Sequence, residues 1–251
     1  MMDKQILIND YASRSFRDLA DQDYLAARIC YRVDLDQLFL WNSLQAIEKY
    51  FKAILLFNGR SAKSLGHDIE RALGKIKEIS DLKFKIPDDV VLFIKYINDY
   101  GLNRYFDYPT VIREFSLFKL DRTIWHIRRY CYYLRGSTIK KDGTLVPLLD
   151  YELRIIHNNI YDKYPNRYKI FGGYLESVIN NNTKLAPYLI WNNFYYGKVK
   201  KHKIKNVKVK VSAANPTHYM HPEIINDLDK LVDFPKALRG HFRAIGKLTT
   251  G

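Results

Sequence analysis

Apolar residues recur every three or four positions through much of the first 137 residues, which is the spacing of amphipathic α-helices. The clearest of these segments ends at Gly59, a residue type that favours a helix stop. Its predicted core stripe consists of Trp41, Leu44, Ile47, Phe51 and Ile54. Helices are predicted over residues 13–33 (one or two short helices), 34–57, 67–79, 88–101 and 111–136, with residues 1–10 as a loose lead-in. Such a series with short connections predicts an antiparallel helical bundle.

The pattern changes after Gly136. Residues 136–144, GSTIKKDGT, are small and polar and contain an Asp-Gly turn signal, so we predict a domain boundary there. Beyond it, short helical patterns are followed by a β-like segment, residues 197–212, in which valines alternate with lysines. The predicted fold is therefore mainly α, with a helical bundle over residues 1–137. A smaller α+β region over residues 145–251 carries a short basic strand or hairpin.

The helix that ends at Gly59 also has a polar face. Asn42, Gln45, Lys49 and Lys52 step by 3, 4 and 3 positions and so share one side of the helix. One interpretation is a solvated face, on which a pair between the residue at position 48 and Lys52 contributes about 0.3 kcal/mol. The other interpretation is a surface that meets a binding partner. The sequence leaves both open.

Basic residues outnumber acidic ones by 41 to 27, which gives a formal net charge of +14. This balance favours a polyanionic partner, most commonly nucleic acid, although a lysine- and asparagine-rich chain also fits an AT-rich genome. Cys30 and Cys131 lie far apart, the N-terminus lacks a secretion signal, and no apolar run reaches the roughly 18–20 residues of a membrane span. We therefore expect a cytoplasmic protein with no membrane partner. No phosphate loop, GxGxxG motif or metal-ligand cluster occurs, so no cofactor and no metal are predicted.

Half of the net charge falls within thirteen positions near the C-terminus. The lysines of this segment, which contains no acid, are Lys198, Lys200, Lys201, Lys203, Lys205, Lys208 and Lys210. A strand here would present them on one side, and the preceding Trp191, Phe194, Tyr195 and Tyr196 are candidates for base stacking. We predict a nucleic-acid-binding strand. The alternative is an edge strand protected from aggregation by its lysines, with the aromatic residues in the core.

Four segments of the chain resemble the HEPN family of small helical domains. They are DYLAARI (residues 23–29), SLQAIEKYFKAILLFNG (43–59), GHDIERAL (66–73) and RYFDYP (104–109). The resemblance implies a homodimer with a polar and basic cleft between protomers, which the face carrying Lys49 and Lys52 would line. It also implies RNA-related activity, because many members are metal-independent ribonucleases. Others are toxins paired with small nucleotidyltransferases, and some only bind RNA or nucleotides.

The ribonucleases of this family carry an arginine and a histidine separated by four to six residues near the last core helix. Arg122 and His126 lie on that predicted helix, but only three residues separate them. Together with Arg129 they share a face roughly opposite the apolar stripe, so His126 is interpreted as meeting solvent or a partner protomer. Six residues separate Arg60 from His67, which is within the range of the family. However, Arg60 lies in a predicted loop, and we interpret His67 as a residue at the start of the next helix.

We therefore predict a homodimeric RNA-binding protein of toxin or defence type, either a metal-independent or a degenerate ribonuclease. Arg122 and His126 are the catalytic candidates, and Arg129, Lys49, Lys52 and the seven lysines of residues 198–210 are the nucleic-acid-binding candidates. The alternative is a non-catalytic protein that partners a small nucleotidyltransferase.

Overall fold

A computed structural model of the chain describes residues 4–101, 110–204 and 210–212, together with residues 224, 227, 230 and 231. The chain divides into two compact units. One unit combines residues 1–102 with 114–207, and the other combines residues 103–113 with 208–251. The described part is mainly helical, as predicted. None of its helices is long and apolar enough to cross a membrane.

The first unit is built around one long helix, α3. Its helices are α1 (Lys4–Ala12), α2 (Asp18–Arg32), α3 (Asp36–Phe57), α4 (Ile69–Lys77), α5 (Asp88–Gly101), α6 (Ser116–Arg128), α7 (Leu149–Ile156), α8 (Ile160–Lys163), α9 (Tyr174–Asn180) and α10 (Ala186–Ile190). A π-helical turn, Ser13–Arg17, joins α1 to α2. Helix α3 packs against α1, α2, α4, α5 and α6. The helical bundle is therefore confirmed.

The predicted stripe of α3 is the centre of the core. Leu44, Ile47, Phe51 and Ile54 are fully buried, whereas Trp41 is only half-buried. Helix α5 approaches this stripe closely at Gly101, where a Cβ atom would lie 2.8 Å from Leu44 Cβ. Glycine is required at that position because any side chain would push the two helices apart.

Two of the predicted boundaries at the ends of the bundle are wrong. Residues 4–10 belong to α1 rather than to a loose lead-in, and Ala12 packs against Ala53 and Phe57 of α3. The predicted helix over 111–136 is reduced to α6. Phe115 stops it on the N-terminal side, because its φ of +58° is left-handed. On the C-terminal side α6 ends at Arg128 and turns follow.

The segment predicted as a domain boundary is a β-hairpin. Strand β2 (Ser137–Ile139) pairs antiparallel with β3 (Leu145–Pro147), and Gly143 takes a φ of +83° in the turn between them. The residues that follow the hairpin, up to 207, lie in the same compact unit as the bundle. This division differs from the predicted domains 1–137 and 145–251. Buried contacts explain the difference: for example, Arg28 of α2 donates to the Tyr188 carbonyl oxygen at 2.9 Å.

The lysine-rich strand was predicted over too long a segment. Residues 198–200 have no strand structure and Lys201–Lys203 form a 3₁₀ turn, so Lys198, Lys200, Lys201 and Lys203 are not strand residues. Lys205 and Lys208 lie outside the described residues. In the second compact unit, β4 (Lys210–Ser212) pairs antiparallel with β1 (Thr110–Ile112), and Lys210 is opposite Ile112. Within the described residues of this segment, a strand therefore forms only at Lys210–Ser212, where a partner strand pairs with it.

Candidate nucleic-acid interface

Four exposed lysines lie close together in residues 198–203, which we call the lysine segment. They are Lys198, Lys200, Lys201 and Lys203. None of them forms an ion pair with an acidic residue of the described parts of the chain, and the lysine segment itself contains no acid. Because their charge is not balanced locally, these side chains are available to contact the phosphates of a polyanion.

A rigid loop positions the lysine segment. The Asn193 side chain is fully buried, donates to the Leu189 carbonyl oxygen at 2.9 Å and accepts from the backbone N–H of Tyr195 at 2.9 Å. At Gly197 a Cβ atom would lie 2.5 Å from the Asn193 carbonyl oxygen, so only glycine fits where the lysine segment begins. The backbone is thus anchored at the point where the lysine segment begins.

A groove of about 390 Å³ runs beside the lysine segment. Its lining residues include Lys163, Tyr164, Phe194, Lys198, Lys200 and Lys201. The Tyr164 ring is 41% exposed, and the Arg167 guanidinium lies 4.4 Å from its centroid. An accessible aromatic ring beside several cations is the combination that proteins use to bind single-stranded nucleic acid.

The aromatic residues predicted for base stacking are mostly unavailable. Tyr195 and Tyr196 are buried, and Phe194 is half-buried. Trp191 is 38% exposed, but it is not among the residues that line the groove beside the lysine segment. Tyr164 was missed, although its flanking sequence, DKYPNR, places cations on both sides of an aromatic residue and could have identified it.

The structure places His126 inside the protein, which contradicts its predicted position on a solvent or partner face. The side chain is 3% exposed, and its Nδ1 atom accepts from Arg129 Nη2 at 2.9 Å. Its Nε2 atom has no hydrogen-bond partner within the described residues. Burial, together with the charges of Arg129 and Arg122, lowers the pKa of His126 to about 2. A neutral, enclosed imidazole cannot exchange protons with a substrate near pH 7, so the structure gives no support to His126 as a catalytic residue.

The two arginines of the same predicted face have internal partners. Arg122 is paired with Asp89 at 2.8 Å and donates to the Tyr195 hydroxyl at 3.3 Å. Arg129 is buried, donates to the Ile156 carbonyl oxygen and lies 3.8 Å from the centre of the Trp125 ring. Arg129 is therefore not a surface cation, contrary to its predicted role in nucleic-acid binding. The face is covered because residues beyond the hairpin pack on it.

The buried imidazole predicts a specific pH dependence of stability. When unfolded, the residue at position 126 takes up a proton below its ordinary pKa of 6.5, whereas folded His126 stays neutral. Below pH 6.5, His126 therefore lowers the free energy of unfolding by about 1.4 kcal/mol for each unit by which the pH falls. Urea unfolding at pH 7.0, 6.0 and 5.0 measures it, and His126→Gln is expected to remove that part of the slope. The exposed His202 provides the control variant, His202→Gln, which should keep the wild-type slope; equal slopes in all three proteins would contradict the burial of His126.

The polar face of α3 forms an internal ion-pair network. Lys49 contacts Asp23, and Lys52 contacts Glu48. Glu48 is 6% exposed and also accepts from His67 Nδ1 at 2.7 Å. Since each lysine is matched by a carboxylate, Lys49 and Lys52 contribute less unbalanced charge to a nucleic-acid surface than their sequence positions suggested.

The contact between Glu48 and His67 was not predicted from the sequence. The two residues are separated by a loop, and only the packing of α3 beside the start of α4 brings them together. Glu48 fixes Nδ1 of the His67 imidazole, while the His67 side chain as a whole remains 46% exposed. This arrangement leaves Nε2 directed away from the carboxylate, as in sites where a histidine transfers protons. Among the described residues no group of three or more metal-ligating side chains occurs.

Comparison with known proteins identifies one part of the chain. Residues 13–116 match the family model described as HEPN domain. Searches of curated proteins and of solved structures found no significant match. The matched region contains the Glu48–His67 contact and ends before Arg122, His126 and the lysine segment.

Proposed function

Residues 13–116 of this chain are a HEPN domain, and from that premise we propose that the protein binds single-stranded RNA through its lysine segment. A HEPN domain suggests an RNA-related or nuclease-type function. The observation that carries the proposal is the set of four exposed lysines, unpaired among the described residues, beside the groove that contains Tyr164. Homodimerisation and docking onto a small nucleotidyltransferase remain predictions, which sedimentation at micromolar concentration and co-purification would test.

The groove favours a single strand over a duplex. The lysines supply contacts to phosphates, which carry no sequence information but provide affinity. Tyr164 supplies an aromatic surface on which an unpaired base can stack. In a duplex the bases are already stacked on one another, so the aromatic contact would be lost and only the phosphate contacts would remain.

Salt dependence of RNA binding tests this proposal. Four lysine–phosphate contacts correspond to a slope of about −3 in a plot of log affinity against log salt concentration for a single strand. The measurement uses a labelled single-stranded RNA in EDTA over a range of salt, with a duplex of the same sequence as the comparison. Affinity that does not change with salt would contradict the proposed interface.

Metal-independent RNA cleavage is a second candidate function, and the Glu48–His67 contact favours it. Nε2 of His67 would accept the proton of an RNA 2′-hydroxyl, whose oxygen then attacks the adjacent phosphorus. The bond from phosphorus to the 5′-oxygen breaks, which leaves a 2′,3′-cyclic phosphate, and the leaving 5′-oxygen takes a proton from water to become a hydroxyl. Arg60 and Lys63, in the exposed loop before His67, are cations without a side-chain ion pair among the described residues, and they would stabilise the phosphorane charge.

One gel distinguishes the two histidines. Labelled single-stranded RNA is incubated in EDTA with wild type, His67→Ala and His126→Gln. If His67 transfers the proton, cleavage by the wild type falls at least about 100-fold in His67→Ala and persists in His126→Gln. Intact RNA in every lane would remove the cleavage function and leave binding alone. Loss of cleavage only in His126→Gln would contradict the buried, inactive role given to that residue.

A further inference from the structure

Lys201 also lines a second pocket. It has a volume of about 270 Å³ and is lined by Asp89, Phe115, Phe118, Lys119, Lys201 and Ile204. Its apolar lining comes mainly from two aromatic rings, and its charged lining from two lysines and one carboxylate. Lys201 also lines the groove beside Tyr164, so the pocket is continuous with the lysine segment.

Two residues that line the pocket, Phe118 and Asp89, are fixed by contacts with residues outside it. The Phe118 ring packs on Tyr195, with 5.7 Å between ring centroids. Arg122 bonds to both the Asp89 carboxylate and the Tyr195 hydroxyl, at 2.8 and 3.3 Å. A preformed pocket of this kind loses little entropy when a ligand enters it.

Phe115 has an unusual backbone for an aromatic residue. Its φ of +58° lies in the left-handed region, which costs a residue with a Cβ atom free energy that glycine would not lose. The ring is nevertheless 36% exposed, so the core gains little from it in return. Strain of this kind is concentrated at functional sites, where the position of the side chain matters more than stability.

We propose that this pocket binds one unstacked base of the RNA strand, with Lys119 and Lys201 contacting the neighbouring phosphates. The volume lies just below the range of about 300–1,000 Å³ that holds a drug-sized ligand, which suits a single base. The two lysines match the phosphates next to that base, and the shared Lys201 connects the pocket to the strand that the lysine segment holds. Asp89 remains exposed enough to accept a hydrogen bond from a base N–H group. The inference rests on the proposed function, because it specifies how the bound RNA is recognised.

The test compares a single-stranded RNA with an oligomer of the same length and backbone in which the bases are missing. Wild type is expected to bind the normal RNA at least about tenfold more tightly, since stacking on an aromatic side chain has an effect of that size. Phe118→Ala and Phe115→Gly are expected to lose the part of this preference that the pocket contributes, about severalfold, while Tyr164 retains the rest and the salt slope is unchanged. Phe115→Gly removes the ring and relieves the backbone strain, so it provides a variant that should fold as well as wild type. Phe171, which is fully exposed, provides the matched control Phe171→Ala.

The outcomes separate the inference from the function on which it rests. Wild type that binds both oligomers equally would overturn the base pocket and the stacking on Tyr164, and it would leave only the lysine–phosphate contacts of the proposed function. Wild type that binds neither would overturn both proposals. An unchanged preference for bases in Phe118→Ala and Phe115→Gly would place the bound base elsewhere. Adenosine monophosphate is the last probe: if it displaced the RNA at concentrations near the affinity of the RNA itself, the pocket would be a mononucleotide site and the assignment would be wrong.

Discussion

Replacing Arg128 with alanine is expected to lower the free energy of unfolding by about 3–5 kcal/mol, because it leaves two buried carboxylates without their counter-ion. The Arg128 guanidinium is 2% exposed and donates to Asp21 Oδ1 at 2.7 Å and to Asp21 Oδ2 at 2.8 Å. It also donates to the two Glu176 oxygens at 2.8 and 2.7 Å. Asp21 and Glu176 are themselves buried, so water cannot replace the lost hydrogen bonds.

Urea unfolding followed by circular dichroism measures this effect. Arg154 is exposed and lies beyond the hairpin, so Arg154→Ala is the matched control and should change the free energy of unfolding by no more than about 0.5 kcal/mol. Adding Glu176→Gln to Arg128→Ala should recover part of the loss, because it removes one of the two uncompensated charges. A loss below about 1 kcal/mol in Arg128→Ala would contradict the buried network.

The same network also gives an acid dependence. Burial alone would raise the pKa of Glu176, but the Arg128 guanidinium outweighs it, and the pKa of this carboxyl is lowered from its ordinary value of 4.5. Its stabilisation is therefore present above pH 4.5 and is lost as pH falls through the lower value of the folded protein. Because Asp21 precedes the hairpin and Glu176 follows it, we expect the residues on both sides to unfold in one cooperative transition.

Replacing the four lysines of the lysine segment with alanine is expected to weaken binding of single-stranded RNA by about 100-fold or more at low salt. Each lost phosphate contact removes one released counter-ion, so the slope of log affinity against log salt should become less steep by about 3. The control replaces four other exposed lysines with alanine and so removes the same total charge. They are Lys77, Lys95, Lys140 and Lys141. If the control loses as much affinity as the lysine-segment variant, binding depends on net charge alone and the interface is wrongly placed.

Much of the bundle could be predicted from the sequence because the signals for it are local. The period of apolar residues in α3 and the start and stop residues of α5 act within a few turns of the chain. Helix α5 was predicted from Asp88 to Gly101 and is observed with those bounds. The HEPN resemblance rests on the same short segments, and the family match over residues 13–116 confirms it.

The sequence failed where a long-range contact decided the outcome. His126 and Arg129 lie opposite the apolar stripe predicted for α6, and helical periodicity alone predicts that such a face is exposed to solvent. Residues far along the chain, including Pro165 and Ile156, accept hydrogen bonds from Trp125 and Arg129 and bury that face instead. The periodicity of α6 cannot predict that this face is buried, because its burial depends on residues from distant parts of the chain.

The lysine-rich segment shows the same limit for strands. Alternating valines and lysines are compatible with a strand, but a strand also needs a partner with unpaired backbone groups. Among the described residues of the segment, only Lys210–Ser212 has that partner, and Lys201–Lys203 turns instead. The sequence by itself determined the central helices of the bundle, the excess of positive charge and the resemblance to the HEPN family, since these follow from local periodicity, composition and short motifs. Tertiary structure alone decided which polar residues are buried, which lysines lack an ion pair within the described parts of the chain and which aromatic rings line a pocket, since each depends on contacts between segments distant in the chain.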